Sequence, residues 1–170
     1  MFSIGQYVSC GNKGVCTIEK ITTLDISGVD KEKMYYILKP CYMAASTVYV
    51  PVESSATSMR PILTKEEALA LIESIPGIPV LNIQNEKFIE QDYKAAMKTN
   101  CCEEWVSIIK TIYERKQKRL QAGRKETAVD GKYFKIAEDN LYGELAIALG
   151  MPKNEVCDYI SEQMNGFQTV

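Results

Sequence analysis

The chain has 170 residues, 46% of them hydrophobic, with 20 Lys+Arg, 22 Asp+Glu, six Cys and no His. This size and composition suit one ordinary globular domain or two small ones and exclude the disordered and collagen-like classes. No apolar run approaches the roughly 18 residues that span a bilayer, and the opening Met1-Phe2-Ser3-Ile4-Gly5 lacks a basic stretch leading into an apolar one, so a cytoplasmic protein with no membrane partner is expected.

The missing histidine removes Ser-His-Asp and Cys-His nucleophile pairs and H-E-x-x-H metal sites in one step. No glycine-rich phosphate loop occurs, and nothing in the sequence places two carboxylates across a cleft, so neither an enzyme nor a cofactor is expected. The cysteines at 10, 16, 41, 101, 102 and 157 form no C-x-x-C. Reduced, buried thiols are expected in place of disulfides or zinc, and the adjacent pair Cys101-Cys102 has no acidic-thiol context.

The first element is Phe2 to Ile21, two short runs rich in β-branched residues around Gly11-Asn12-Lys13-Gly14. Glycine and asparagine tolerate positive φ, so this stretch reads as a tight β-connection. Further strands are expected over Met34 to Lys39 and Thr47 to Val52. In the second of these, Val48, Val50 and Val52 alternate with Thr47, Tyr49 and Pro51, which puts the valines on one face and Tyr49 on the other. Pro51 donates no ladder hydrogen bond, so this strand belongs at a sheet edge or ends there. Four or five short strands in about 60 residues predict a small Tudor- or SH3-like barrel, and an edge strand in such a barrel is open to a partner's strand.

From Thr64 the period is helical. Thr64-Lys65-Glu66-Glu67 is a capping box, followed by Ala68, Leu69, Ile72 and Ile75 at helical spacing. Pro76-Gly77-Ile78-Pro79 breaks that helix and is the expected hinge. A second helix is predicted from about Glu86 to Thr99, with Ile89, Tyr93, Ala96 and Met97 as its stripe and Asn100 ending it in the left-handed conformation. A third runs from about Glu103 to Gln121 with Trp105, Ile108, Ile109, Ile112 and Leu120 on one side, Trp105 being read as core. Thr127 to Asp130 caps a long fourth helix that Gly150 closes, and Pro152 opens a last short one bearing Val156, Tyr159, Ile160 and Met164. The expected fold is α+β: a barrel over 1–62, a connecting helix with its Pro/Gly linker over 63–84, and an all-α helical bundle over 85–170.

Charge is unevenly distributed. Residues 86–125 hold 10 Lys+Arg against 6 Asp+Glu, whereas 126–170 hold 3 against 8, so the cationic character is local. The densest part is Tyr113 to Arg119 with Arg124 and Lys125. It suggests either a polyanion site of limited size or a solvated helix face.

The order and spacing of several short motifs resemble the CarD-like bacterial transcription regulators. These motifs are the opening F-x-x-G-x-x-V, Tyr35-x-x-Leu38 with Val48-x-Val50-Pro51, Arg60-Pro61-Ile62, Asp92-Tyr93-Lys94, and Leu141-Tyr142-Gly143-Glu144-Leu145-Ala146. The resemblance implies a Tudor-like domain that binds the β subunit of RNA polymerase through an edge strand. It also implies a helical domain that touches promoter double-stranded DNA near the upstream edge of the transcription bubble and changes the lifetime of the open complex. On the polymerase side it points to Leu24, Val48, Tyr49, Val50 and Pro51, with Tyr49 standing where an arginine is usual and Leu24 where a basic residue is common. On the DNA side it aligns Ile89 with the family's wedge tryptophan, Phe88 next to it. Lys94 matches a basic position, Gln91 replaces another, and Lys132 follows the helix start at Thr127; Lys98, in the basic segment, is grouped with Lys94. A monomer is expected, with a domain-swapped dimer as the other arrangement. The rival reading is a protein-only adaptor whose helical bundle binds another protein and not DNA.

Overall fold

The computed structural model describes residues 1–168, which divide into two compact units, 1–62 and 63 onward. The fold is α+β, with five antiparallel strands in the first unit and helices in the second.

In the first unit β1 (Tyr7–Ser9), β2 (Val15–Thr23), β3 (Met34–Pro40), β4 (Val48–Pro51) and β5 (Arg60–Pro61) form a curled half-barrel in the order β4-β3-β2-β1-β5. A one-turn helix, α1 (Ser55–Ser58), precedes β5. The connection between β1 and β2 is a 3-10 turn flanked by Gly11 at φ 53° and Gly14 at φ 69°, conformations that favour glycine. The β2–β3 register shifts between Ile18 and Lys20, and such a bulge bends the strand and increases its twist. Val8, Cys16, Ile18, Tyr36, Leu38, Val50 and Met59 make the core. Phe2 closes one side, its ring edge-on to Tyr36 at 5.8 Å and its amide donating to the Tyr36 hydroxyl at 3.2 Å.

In the second unit α2 (Lys65–Ser74), α3 (Ile89–Lys98), α4 (Cys102–Gln121), α5 (Ala128–Leu149) and α6 (Lys153–Gln168) share one apolar core. The capping box at Thr64 is formed: the Glu67 amide donates to Thr64 Oγ1 at 3.1 Å and the Thr64 amide to Glu67 Oε2 at 2.8 Å. Ala68, Leu71, Ile72 and Ile75 are buried, so Leu71 takes the core position and Leu69 is only half-buried. The division of the chain after Ile62 puts α2 and the turn Ile75–Gly77 inside the helical unit. There the Lys110 ammonium donates to the carbonyls of Ile75 (2.9 Å), Pro76 and Ile78.

The expected α3 stripe of Ile89, Tyr93, Ala96 and Met97 is buried, and Asn100 has φ 52°. Trp105, Ile108 and Ile112 are fully buried on α4, but Leu120, expected on the same side, is exposed: the buried positions of α4 end at Ile112. Thr127 caps α5 by accepting from the Asp130 amide at 3.1 Å, and Gly150 ends that helix in the left-handed region. The six cysteines are free thiols: Cys16 and Cys102 are buried, whereas Cys41 and Cys157 are exposed, contrary to the expectation of uniform burial. Among the described residues no helix is long and apolar enough to cross a membrane.

Candidate functional site

Two surfaces carry the residues that the sequence singles out. The first is the free edge of the half-barrel. β4 pairs with β3 only, through Leu38↔Val48, Ile37↔Tyr49, Tyr36↔Val50 and Tyr35↔Pro51, and it lies last in the strand order, as Pro51 requires. An edge strand presents unpaired backbone donors and acceptors along its outer side. The period-two reading holds: Val50 is buried in the core, Val48 is half-buried, and Tyr49 is 49% exposed on the other face. Pro51 is half-buried as well. Leu24, also half-buried, follows β2 at the end of the sheet where Thr23 pairs with Met34 and Tyr35 with Pro51. Exposed Met34 and Ile26 extend the apolar surface at that end, and they escaped the sequence reading because neither belongs to an alternating run. Only Tyr49 of the five named residues offers a largely exposed side chain; Val50 has only its backbone to offer.

The second surface is the start of α3 together with the start of α5. Asn85 caps a 3-10 turn, Glu86–Phe88, that leads directly into α3. The turn puts Phe88 out, 46% exposed, while Ile89 is 8% exposed and packed into the helical core. The Lys87 ammonium lies 5.9 Å from the centre of the Phe88 ring, in cation–π range. Gln91, Lys94 and Lys98 are exposed along α3. Lys94 and Lys132 both approach Glu90 Oε1, at 3.8 and 3.9 Å, and the Tyr133 hydroxyl donates to the same oxygen at 3.1 Å. Lys132 also lies 5.3 Å from the centre of the Tyr133 ring. Phe88, Gln91, Lys94 and Lys98 therefore share one helix and the turn that starts it, and Glu90 brings Lys132 to them. Both lysines are well exposed, so the ion pairs are weak and leave the ammonium groups open to a phosphate.

Behind this surface lies a buried network. The Tyr93 hydroxyl donates to Asp130 Oδ1 at 2.7 Å, Arg115 Nε to Asp130 Oδ2 at 3.0 Å, and Arg115 Nη1 to Glu86 at 2.7 Å. It holds the Glu86–Phe88 turn, α3 and α5 on α4. Burial, followed by the Asp130 hydrogen bond, pushes the Tyr93 phenol well above its ordinary range. Burial and then Glu90 push Tyr133 up as well. Arg115 is thus committed to structure, and Arg119 donates to the Lys125 carbonyl at 2.7 Å, so the densest basic run of the sequence is only partly free. Among the described residues no group of Cys, Asp or Glu is arranged to hold a metal ion. An apolar groove of about 700 Å³ runs between α4, α5 and α6, lined by Ile109, Phe134, Leu141, Ile160 and Met164.

Residues 2–63 match the family model described as the CarD-like/TRCF RID domain, a span that coincides with the half-barrel. No curated protein matches the chain. The matched domain is a protein-interaction domain, and it supports a transcription-related protein that interacts with RNA polymerase. Residues 2–63 of the chain are thus similar to the CarD-like/TRCF RID domain.

Proposed function

We propose that the protein is a cytoplasmic transcription regulator without catalytic activity. The half-barrel docks on the β subunit of RNA polymerase, and residues 85–170 are a helical domain that contacts promoter DNA near the upstream edge of the bubble, changing the lifetime of the open complex. The observation that carries this reading is the coincidence of the matched domain with a half-barrel whose last strand, β4, has a free edge and an exposed Tyr49. Docking proceeds by strand addition, with backbone pairing along Val48 to Pro51 and apolar packing from Tyr49 and Leu24. On the helical unit Phe88 is the apolar wedge, because wedges between base steps need an exposed apolar side chain, and Lys94, Lys98 and Lys132 hold phosphates. The chain works as a monomer.

A pull-down with the polymerase β subunit tests the docking edge. The wild-type chain is retained and Tyr49→Glu is not; retention of Tyr49→Glu would refute docking through β4.

The apolar groove between α4, α5 and α6 favours a second reading, in which the helical unit binds another protein. Fluorescence anisotropy with a short forked duplex separates the two, since a protein-only adaptor gives no rise.

A further inference from the structure

The groove of about 700 Å³ on the helical unit is walled by three helix faces: α4 from Val106 to Glu114, α5 from Phe134 to Tyr142 and α6 from Cys157 to Met164. Ile109, Phe134 and Met164, one on each wall, pack against the core yet are only half-buried, so each keeps apolar surface open along the groove. The α4 wall spans roughly 12 Å, enough for the roughly 10.5 Å between positions i and i+7 of a helix laid alongside it. Charge in the lining is negative. Its carboxylates are Glu114 on α4 and Glu138 on α5, and among the described residues neither forms a salt bridge. Burial and then Asp139 push the Glu138 carboxyl up, against the opposing effect of Lys135, so a cation beside it is favoured. The lysines nearby are already engaged: Lys110 donates to the carbonyls of Ile75, Pro76 and Ile78, and Lys135 pairs with Asp139 at 3.4 Å. Tyr113 adds an exposed ring that a lysine or arginine can cover.

We propose, building on the protein-binding reading of the helical unit, that this groove takes an amphipathic helix of a partner protein, with an apolar stripe at positions i, i+3, i+4 and i+7 and lysine or arginine beside it. The stripe packs on Ile109, Phe134 and Met164, and the flexible thioether of Met164 adapts to the side chains it meets. The flanking cations reach Glu114 on one wall and Glu138 on another, and one of them covers the Tyr113 ring. Complementary charge selects among apolar helices and speeds their encounter, while the stripe supplies most of the affinity. An acidic amphipathic helix brings like charges against Glu114 and Glu138 and is refused.

The test uses the reduced full chain and fluorescein-labelled synthetic peptides of equal length. One carries leucines at the stripe positions with lysine flanks, one the same leucines with glutamate flanks, and one the lysine composition with its leucines moved off the stripe. By anisotropy the first should bind about tenfold or more tighter than either of the others, and rising salt should weaken it. Cys157 is exposed and lies in the lining, so the bound lysine peptide should slow its alkylation by N-ethylmaleimide severalfold, while the exposed Cys41 of the half-barrel reacts at an unchanged rate. Glu114→Lys combined with Glu138→Lys should turn the preference toward the glutamate peptide. Equal binding of the two striped peptides, with Cys157 shielded by both, overturns the basic chemistry and leaves a protein-binding groove. Binding of none of the peptides, or binding that leaves Cys157 unshielded, overturns the proposal and takes the protein-binding reading with it. Cys157 shielded without peptide, and more so at higher chain concentration, makes a second copy the occupant and overturns the proposal as well. The wild-type comparisons decide by themselves should the double variant fail to fold.

Discussion

The backbone amide of Leu63 donates to Oε2 of Glu144 at 2.9 Å, joining the first residue of the helical unit to the C-terminal part of α5 across 81 positions of sequence. Glu144 is fully buried, where a carboxylate needs hydrogen-bond donors such as this amide. This gives the Leu141 to Ala146 motif a structural reason: Leu141 and Leu145 pack the core while Glu144 fastens the entry of the chain into it. Replacing Glu144 with Leu removes the acceptor and leaves the part-buried Leu63 amide unsatisfied, at a cost of about 1–3 kcal/mol. Urea unfolding of Glu144→Leu against Glu144→Gln measures it, and the glutamine, which keeps an acceptor oxygen, should recover most of the stability.

Phe88 and Ile89 are adjacent yet should behave oppositely. Phe88→Ala removes an exposed ring and should leave the urea midpoint near wild type while weakening binding to a forked duplex several-fold. Ile89→Ala opens a cavity under α3 and should cost about 2–4 kcal/mol of stability. Equal weakening of duplex binding in both variants, with stability corrected for, would remove Phe88 from the interface.

Lys94→Glu combined with Lys98→Glu should weaken binding uniformly across sequences and flatten the dependence of log K on log salt, by about 0.9 for each phosphate no longer neutralised. Glu90→Gln should do the reverse, since that carboxylate sits within 4 Å of both Lys94 and Lys132 and screens them from a polyanion. Salt titrations by anisotropy read both effects, and an affinity unmoved by Glu90→Gln would take Lys94 and Lys132 away from the phosphates.

Tyr93 and Tyr133 both have phenols pushed above their ordinary value of 10.0, by burial first and by Asp130 and Glu90 second. A raised folded-state value favours the protonated phenol in the native state. The stability it brings is complete below about pH 10 and is lost as pH climbs from there toward the folded-state values, with a limiting slope of about 1.4 kcal/mol per pH unit for each tyrosine. Urea unfolding from pH 8 to 11 should show this decline, and Tyr93→Phe should make it shallower.

The readable parts of this chain were those where local period and burial coincide. The alternation in β4 told Val50 from Tyr49, the stripe of α3 named all four of its buried residues, and Thr64, Asn100, Thr127 and Gly150 marked helix ends that are present. Ile89 carried its own answer: it lies on the stripe of Tyr93, Ala96 and Met97, four, seven and eight residues on, so its burial followed from helix phase and Phe88 was left to face out. What could not be read depended on partners distant in sequence. Arg115 looks like any other cation in a basic run until Asp130 and Glu86 are brought to it, and Leu120 keeps the apolar spacing of the stripe although the buried part of α4 ends at Ile112. Glu90 met Lys132 only because α3 and α5 fold side by side.

The clamp of Lys110 on the carbonyls of the turn that follows α2 bears on the order in which the helical unit assembles. A ten-residue helix is marginal alone, and the turn that ends this one finds the donor for the carbonyls of Ile75, Pro76 and Ile78 on a side chain made about 35 residues later. During synthesis α2 therefore stays provisional until α4 has emerged, and the two should acquire hydrogen-exchange protection together, as a single cooperative step.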